Sequence, residues 1–279
     1  MVTDVLGDAV IAWAQRDASV DGLILIGSRV RAPGPGAADQ YSDWDFHIIT
    51  SNPDRFRTAA WTRDSGIPAP LAYVARGGRL GSATKVSAVF AAGQLDLVVI
   101  PTRQVRQMRW LWRLGLATRL PAAAKGLADL AVVIRAGYRV LKGDRLCGDV
   151  YARVAKDIPT PRLSDEGVRE LAEGFVCDYV STRQKIARGE LIAAQRWLHH
   201  LLVETNFRLL HELRLRRGEA SMPDARRVEQ LAPLEQADLV RVAAVPDAES
   251  LTDACEQAAD ALRALARDLI GDSWHWPPV

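Results

Sequence analysis

Cysteine, lysine and long apolar runs are all scarce in this chain. Only three of its 279 residues are cysteine. Cys147, Cys177 and Cys255 are odd in number and widely spaced, with no Cys-x-x-Cys, which excludes a disulfide framework and a zinc knuckle. No apolar run reaches the roughly 18 residues of a membrane span. The opening MVTDVLGDAVIAWAQRD carries acids early and lacks an extended apolar core, so no secretion signal is expected. The expectation is a soluble, reduced, cytoplasmic protein with no membrane partner. An excess of one charge is missing too: Lys plus Arg number 36 and Asp plus Glu 34, a net +2. That balance offers no bulk attraction to a phosphate backbone and disfavours nucleic acid as a partner. Only five of the basic residues are Lys, an Arg excess read as codon bias. No Ser-His-Asp arrangement, P-loop or Gly-x-Gly-x-x-Gly is present, so hydrolase, P-loop kinase and Rossmann readings have no motif behind them.

What is present reads as two parts. The composition, 48% hydrophobic and 25% charged, is that of a globular protein, and the length favours two domains. In 4–16, Val5, Leu6, Ala9, Val10 and Trp13 fall at helical spacing. Residues 23–26 are a short apolar run ending at Gly27-Ser28, a buried strand that breaks into a turn. The segment 31–40, centred on Pro33-Gly34-Pro35-Gly36, should be a loop. A strand is expected over 43–49 and a short helix over 53–63. From 71 to 100 the period is close to two, giving strands at 71–75, 85–91 and 94–100. The last two are joined at Ala92-Gly93 as an antiparallel hairpin. Helices follow over 105–114 and 125–141, the latter stopping at Lys142-Gly143-Asp144. The turn-rich 157–164, with Pro159 and Pro161, separates residues 1–156 from 157–279. Ser164 is a candidate N-cap. Long helices are expected over 190–217, ending in Arg214, Arg216 and Arg217 before Gly218, and over 248–269. The fold class is an α/β N-terminal domain followed by an all-α C-terminal domain.

The chemistry lies in Gly27-Ser28-Arg29, then Asp43-Trp44-Asp45, then Asp96 within Leu95-Asp96-Leu97. Side chains alternate along a strand, so Asp43 and Asp45 share one face while Trp44 and Phe46 take the other. Two neighbouring carboxylates repel unless a cation lies between them, and all-oxygen ligands suit Mg²⁺. Asp96 interrupts an apolar strand, where an isolated charge is costly without a partner. Beside the Asp43 strand it would complete a two-metal site of the kind that clamps both oxygens of an in-line phosphoryl displacement. A strand that turns at Gly27-Ser28 presents backbone N–H groups and a hydroxyl to a phosphate, and Arg29 adds a charged donor. Each piece alone has a blander reading, since a lone Asp-x-Asp at a strand edge is usually solvated. The ordered set is what points to phosphate chemistry.

These residues resemble the nucleotidyltransferase superfamily, and within it the aminoglycoside adenylyltransferases of the streptomycin 6-adenylyltransferase type. Three passages carry the likeness: Leu25-Ile26-Gly27-Ser28-Arg29-Val30 with Ser42-Asp43-Trp44-Asp45-Phe46; 88–101, AVFAAGQLDLVVIP; and Gly137-Tyr138-Arg139-Val140-Leu141. Tyr179-Val180 with Arg188-Gly189-Glu190-Leu191 is a weaker echo. The resemblance is specific over 20–145 and loose beyond. It departs from the pattern in the long Pro-Gly spacer between Ser28 and Asp43, and most in the C-terminal half. It implies a small mixed sheet with helices, a helical C-terminal domain that holds the acceptor, Mg²⁺, and ATP as the nucleotide triphosphate. The reaction implied is transfer of AMP to a hydroxyl with release of pyrophosphate.

On that basis Asp43 and Asp45 would hold metal, and Asp96 would be a third ligand or the base for the acceptor hydroxyl. Gly27, Ser28 and Arg29 would meet the phosphates. Lys142 is a candidate triphosphate contact or a dipole-complementing residue at a helix end. A polycationic aminoglycoside would need acids in the helical half, for which Glu173, Asp178 and Glu190 are candidates, Glu173 being the one better read as solvated. Two other readings stand: the same chemistry on a metabolite, protein or RNA end, and a catalytically silent nucleotide-binding module. His47 shares a face with Asp45 but is better read as structural. His199-His200 cannot face one metal from a helix, and His211 is too far along for a standard pair. Trp110, Trp112 and Trp197 are expected in the core. The Trp274–Pro278 tail is expected to be docked or frayed.

Overall fold

The computed structural model describes residues 5–34, 36–78 and 82–278. Asp4, at the expected start of the first helix, and Pro35, within the expected loop, lie outside them. The chain divides into two compact units, Met1–Pro161 and Arg162–Val279. All strands among the described residues belong to the first. They are β1 (Val20–Ile26), β2 (Trp44–Thr50), β3 (Ala72–Gly77), β4 (Thr84–Phe90), β5 (Gly93–Pro101) and β6 (Arg139–Lys142). One mixed sheet results, in the order β3-β4-β5-β2-β1-β6. Neighbours are antiparallel except the central pair β2 and β5, which run parallel. β4 and β5 form the expected hairpin, with Phe90 opposite Gly93.

Helices cover both faces of this sheet. On one face α1 (Val5–Arg16) and α2 (Ala60–Ser65) pack Leu6, Val10, Trp13 and Trp61 against Leu23, Leu25, Phe46 and Leu97. On the other, α3 (Thr102–Arg113), α4 (Pro121–Ile134) and α5 (Asp149–Asp157) pack Val105, Leu127, Ile134 and Val154 against Ile24, Ile26, Ile49 and Ile100. A strand buried on both faces needs apolar residues at every position, which is why 23–26 reads as an unbroken apolar run.

Three expectations are corrected. The single helix over 53–63 is a 3₁₀ turn, Pro53–Arg57, followed by α2, because Thr58 between them is extended (φ −131°, ψ 163°). The helix expected over 125–141 stops at Ile134, and Arg139–Lys142 is a strand. Gly137 turns the chain at φ +123°, in the region that favours glycine. The following residues then pair with β1, Leu25 opposite Arg139 and Leu23 opposite Lys142. Pairing with an open sheet edge outweighs the helical pattern of this short segment. Trp110, expected in the core, is 59% exposed. It lies on the outer stripe of α3 with Arg103, Arg106 and Arg113, also exposed.

The second unit is helical among the described residues. Ser164 accepts a hydrogen bond from the Gly167 N–H at 3.1 Å, capping α6 (Asp165–Ala187). The long helix 191–216 is present but carries a π segment. It consists of α7 (Leu191–Trp197), the π turn Leu198–Val203 and α8 (Glu204–Arg216). After the short α9 (Val228–Leu231) and α10 (Leu234–Val240), α11 (Ala248–Ile270) completes a core of Phe175, Leu198, Leu209, Leu251 and Leu262. Trp276 of the tail packs edge-on against Tyr179, so the tail is docked. The Arg cluster is structural: Arg214 donates to the Ala220 and Leu231 carbonyls, and Arg216 pairs with Glu212 and Asp165. No helix among the described residues is long and apolar enough to cross a membrane.

Asp17 ties the turn between α1 and β1. Its carboxylate accepts from the Trp13 indole (3.0 Å), the Ser19 N–H (2.9 Å), the Ser19 hydroxyl (2.7 Å) and Arg55. Burial opposes ionisation, but the bonds from Ser19 and Arg55 outweigh it and hold the carboxyl at about 2. A lowered carboxyl pKa stabilises the fold above the unfolded value, and that stability disappears as pH falls through the folded value. Asp17→Asn should therefore cost about 1–2 kcal/mol in urea unfolding at neutral pH. The gap between the two proteins should close as the pH is lowered from about 4 to about 2.

Candidate active site

β1 ends at Ile26, and the chain turns through Gly27 into a 3₁₀ turn, Gly27–Val30. Gly27 has φ +80°, a conformation that L side chains rarely adopt. A Cβ there would lie 2.2 Å from Asp45 Oδ2. Glycine is thus required both by the turn and by the carboxylate that lies against it.

Three strands converge on this point. Asp45 stands opposite Ile26 across the β1–β2 pair and opposite Asp96 across the parallel β2–β5 pair. Asp43 lies two residues before Asp45, just ahead of the strand, on the same side by alternation. Asp43, Asp45 and Asp96 each offer a carboxylate oxygen within 4.8 Å of the others, and all three are half-buried. Like charges at directly paired positions are destabilising. The donor set is all oxygen, partly open to water, and backed by a turn whose missing Cβ leaves room for Asp45. Those properties fit Mg²⁺, which binds through few carboxylates and retains water.

The support comes from the opposite face. Trp44 is buried and stacks on Phe46 at 5.6 Å with an interplanar angle of 4°. α1 lies so close that a Cβ on Gly7 would be 2.2 Å from the Trp44 ring. The Arg29 guanidinium sits 4.1 Å from the Trp44 ring and donates to the carbonyls of Asp43 (2.9 Å) and Ser42 (2.8 Å). The Arg29 guanidinium thus braces the segment that carries Asp43. Under the site, on the same face as Asp45, His47 is fully buried, its Nδ1 2.7 Å from the Tyr151 hydroxyl. Burial lowers its pKa to about 4, so it is a neutral structural group.

The structure brings Gly27, Ser28, Arg29, Asp43, Asp45 and Asp96 to one end of β1, β2 and β5, but Arg29, expected on the phosphates, lies against Trp44 and donates to the Asp43 and Ser42 carbonyls. Ser28 is buried in the turn. Lys142 is elsewhere: it pairs with Leu23, well back along β1. Its ammonium donates to the Ala14 (2.7 Å) and Asp17 (2.9 Å) carbonyls, at the end of α1. That is dipole complementation, toward a different helix from the one expected. In the second unit, Glu173 is exposed on α6, and Asp178 is half-buried, its carboxyl pKa raised by burial. Five residues separate them, about 140° around a helix, so they occupy different faces. Glu190, beyond the end of α6, pairs with Lys185 at 3.1 Å. The residue sequence reasoning missed is Lys85, which reaches Asp96 at 2.8 Å. Its signal was available: Lys85 and Asp96 are the only charged residues of the hairpin 84–101.

Gly27→Ala should cost about 1–3 kcal/mol through strain at a positive φ. It should also displace the Asp45 carboxylate and weaken Mn²⁺ binding, measured by titration alongside the melting temperature. A variant that binds Mn²⁺ as the wild type does would separate the turn from the carboxylates.

No protein-family model matches the chain, and no curated protein matches it significantly. Among solved structures, it is similar to an aminoglycoside 6-adenyltransferase from Bacillus subtilis. That likeness has 12% identity over 98% of this chain and 92% of the other, with a TM-score of 0.40. It is also similar to a nucleotidyltransferase-like protein from Exiguobacterium sibiricum 255-15, at 13% identity over 95% of this chain and 74% of the other, with a TM-score of 0.34.

Proposed function

We propose that this protein is a Mg²⁺-dependent nucleotidyltransferase that moves AMP from ATP to a hydroxyl of a small molecule, an aminoglycoside being the acceptor class favoured. The observation that carries the reading is the parallel register of β2 and β5, which sets Asp45 beside Asp96 with Asp43 on the same side. Asp43 and Asp45 are the residues that would hold the ion. When bound, Mg²⁺ supplies charge stabilisation to the attacking and leaving oxygens of an in-line displacement. Gly27 and Ser28 would present backbone N–H groups and a hydroxyl to the phosphates. Arg29 acts through the backbone of Ser42 and Asp43. Asp96, bonded to Lys85, is the group to accept the proton from the acceptor hydroxyl.

The helical half, residues 157–279, would hold the acceptor. Asp178 supports a cationic acceptor better than its companions: its carboxylate is half-buried, whereas Glu173 is exposed and Glu190 is already paired. The supporting chemistry is that of carboxylates meeting ammonium groups of an aminoglycoside.

Asp43→Asn and Asp45→Asn should each reduce transfer at least about a hundredfold with the protein still folded, because each removes a charge from a cluster of mutually repelling carboxylates. The assay is pyrophosphate release with ATP, Mg²⁺ and a panel of aminoglycosides. Full activity in either variant would reject the metal assignment. No turnover across the panel, with turnover on another hydroxyl compound, would reject the aminoglycoside and keep the reaction.

A further inference from the structure

The β4–β5 hairpin sets Ser87 opposite Asp96 and Lys85 opposite Val98. Lys85 and Asp96 are therefore diagonal neighbours on one face, a separation of about 7–8 Å that a long side chain spans. Lys85 Nζ closes the gap to 2.8 Å from Asp96 Oδ2. On its other side β3 sets Arg76 directly opposite Lys85. Like charges at such positions repel, which biases the ammonium away from β3 and toward the carboxylates. The two side chains are 46% and 24% exposed, and ion pairs so open to water add little to stability. The consequence of this pair lies in its place: Asp96 belongs to the triad, so a cation stands on one corner of a site suited to a divalent ion.

We propose that Lys85 is a positioning residue for Asp96. Its ammonium occupies Oδ2 and repels a divalent ion from that corner. Asp43 and Asp45 are thereby left as the ion-holding pair, and Asp96 is held facing the acceptor hydroxyl instead of being drawn into the metal's ligand shell. This rests on the metal-dependent transfer proposed above, and it decides between the two roles the sequence leaves open for Asp96.

The test is Mn²⁺ titration of the full chain without nucleotide, following free Mn²⁺ by electron paramagnetic resonance. Lys85→Met should bind Mn²⁺ roughly three- to tenfold more tightly than wild type, the effect of removing one positive charge a few ångströms away in a water-like medium. Lys85→Arg should bind as wild type does. In the transfer assay Lys85→Met should lose kcat while its KM for ATP stays within about twofold, and Lys85→Arg should recover most of the loss. Unchanged or weaker Mn²⁺ binding by Lys85→Met, with wild-type binding that Asp45→Asn abolishes, overturns the role of Lys85 alone. A raised KM for ATP at unchanged kcat also overturns it, by placing Lys85 on the phosphates. Absence of Mn²⁺ binding by the wild type overturns the metal reading and this proposal with it. Circular dichroism and melting temperature verify folding, and Lys85→Gln gives the same readout should Lys85→Met melt early.

Discussion

The parallel pairing of β2 and β5 is the constraint on which the rest of the site depends. It places Asp45 and Asp96 side by side at the centre of the sheet. Two carboxylates at about 4 Å repel by about 1 kcal/mol in water and more in a less polar medium. The fold must supply that energy from elsewhere, and the same strands do so. Phe46, Ile48, Ile49, Leu95, Leu97 and Val99 are fully buried, each contributing on the order of 1.5–3 kcal/mol through burial. The repulsion is tolerated because it sits at the wet end of an otherwise dry pair of strands.

Small residues and backbone contacts then aim the carboxylates. Gly27 leaves the space that Asp45 Oδ2 fills, and Gly7 lets α1 lie directly on Trp44. Arg29 stacks on the same indole and braces the Ser42 and Asp43 carbonyls. Orientation of Asp43 is thus set from behind, through the backbone, while its carboxylate stays half-buried and available. Lys85 does the corresponding work for Asp96 from the neighbouring strand.

Charge in this protein is organised locally. The total is +2, yet Asp43, Asp45 and Asp96 meet at one point, beside which Arg29 donates to carbonyls and Lys85 pairs with a carboxylate. Lys142 and Arg214 are likewise spent on backbone carbonyls. A count of basic residues therefore says little about what binds here, because many of the cations serve the fold.

The sequence by itself determined most of the elements and drew attention to the three carboxylates. Apolar runs and alternation announce β1 to β5, Ala92-Gly93 the hairpin, Ser164 a helix start, and Asp-x-Asp with Asp96 the acidic cluster, because each signal is carried by residues close along the chain. Tertiary structure decided what depends on partners distant in sequence. Arg139–Lys142 reads as helix until β1 offers it an edge to pair with. Lys142 lands on α1, 125 residues and more away, and Arg29 reaches back to Ser42 and Asp43. Trp110 faces water because the sheet covers only one side of α3. The parallel register between β2 and β5 is the plainest case: alternation says which face Asp45 and Asp96 occupy, but only the packed sheet makes them neighbours.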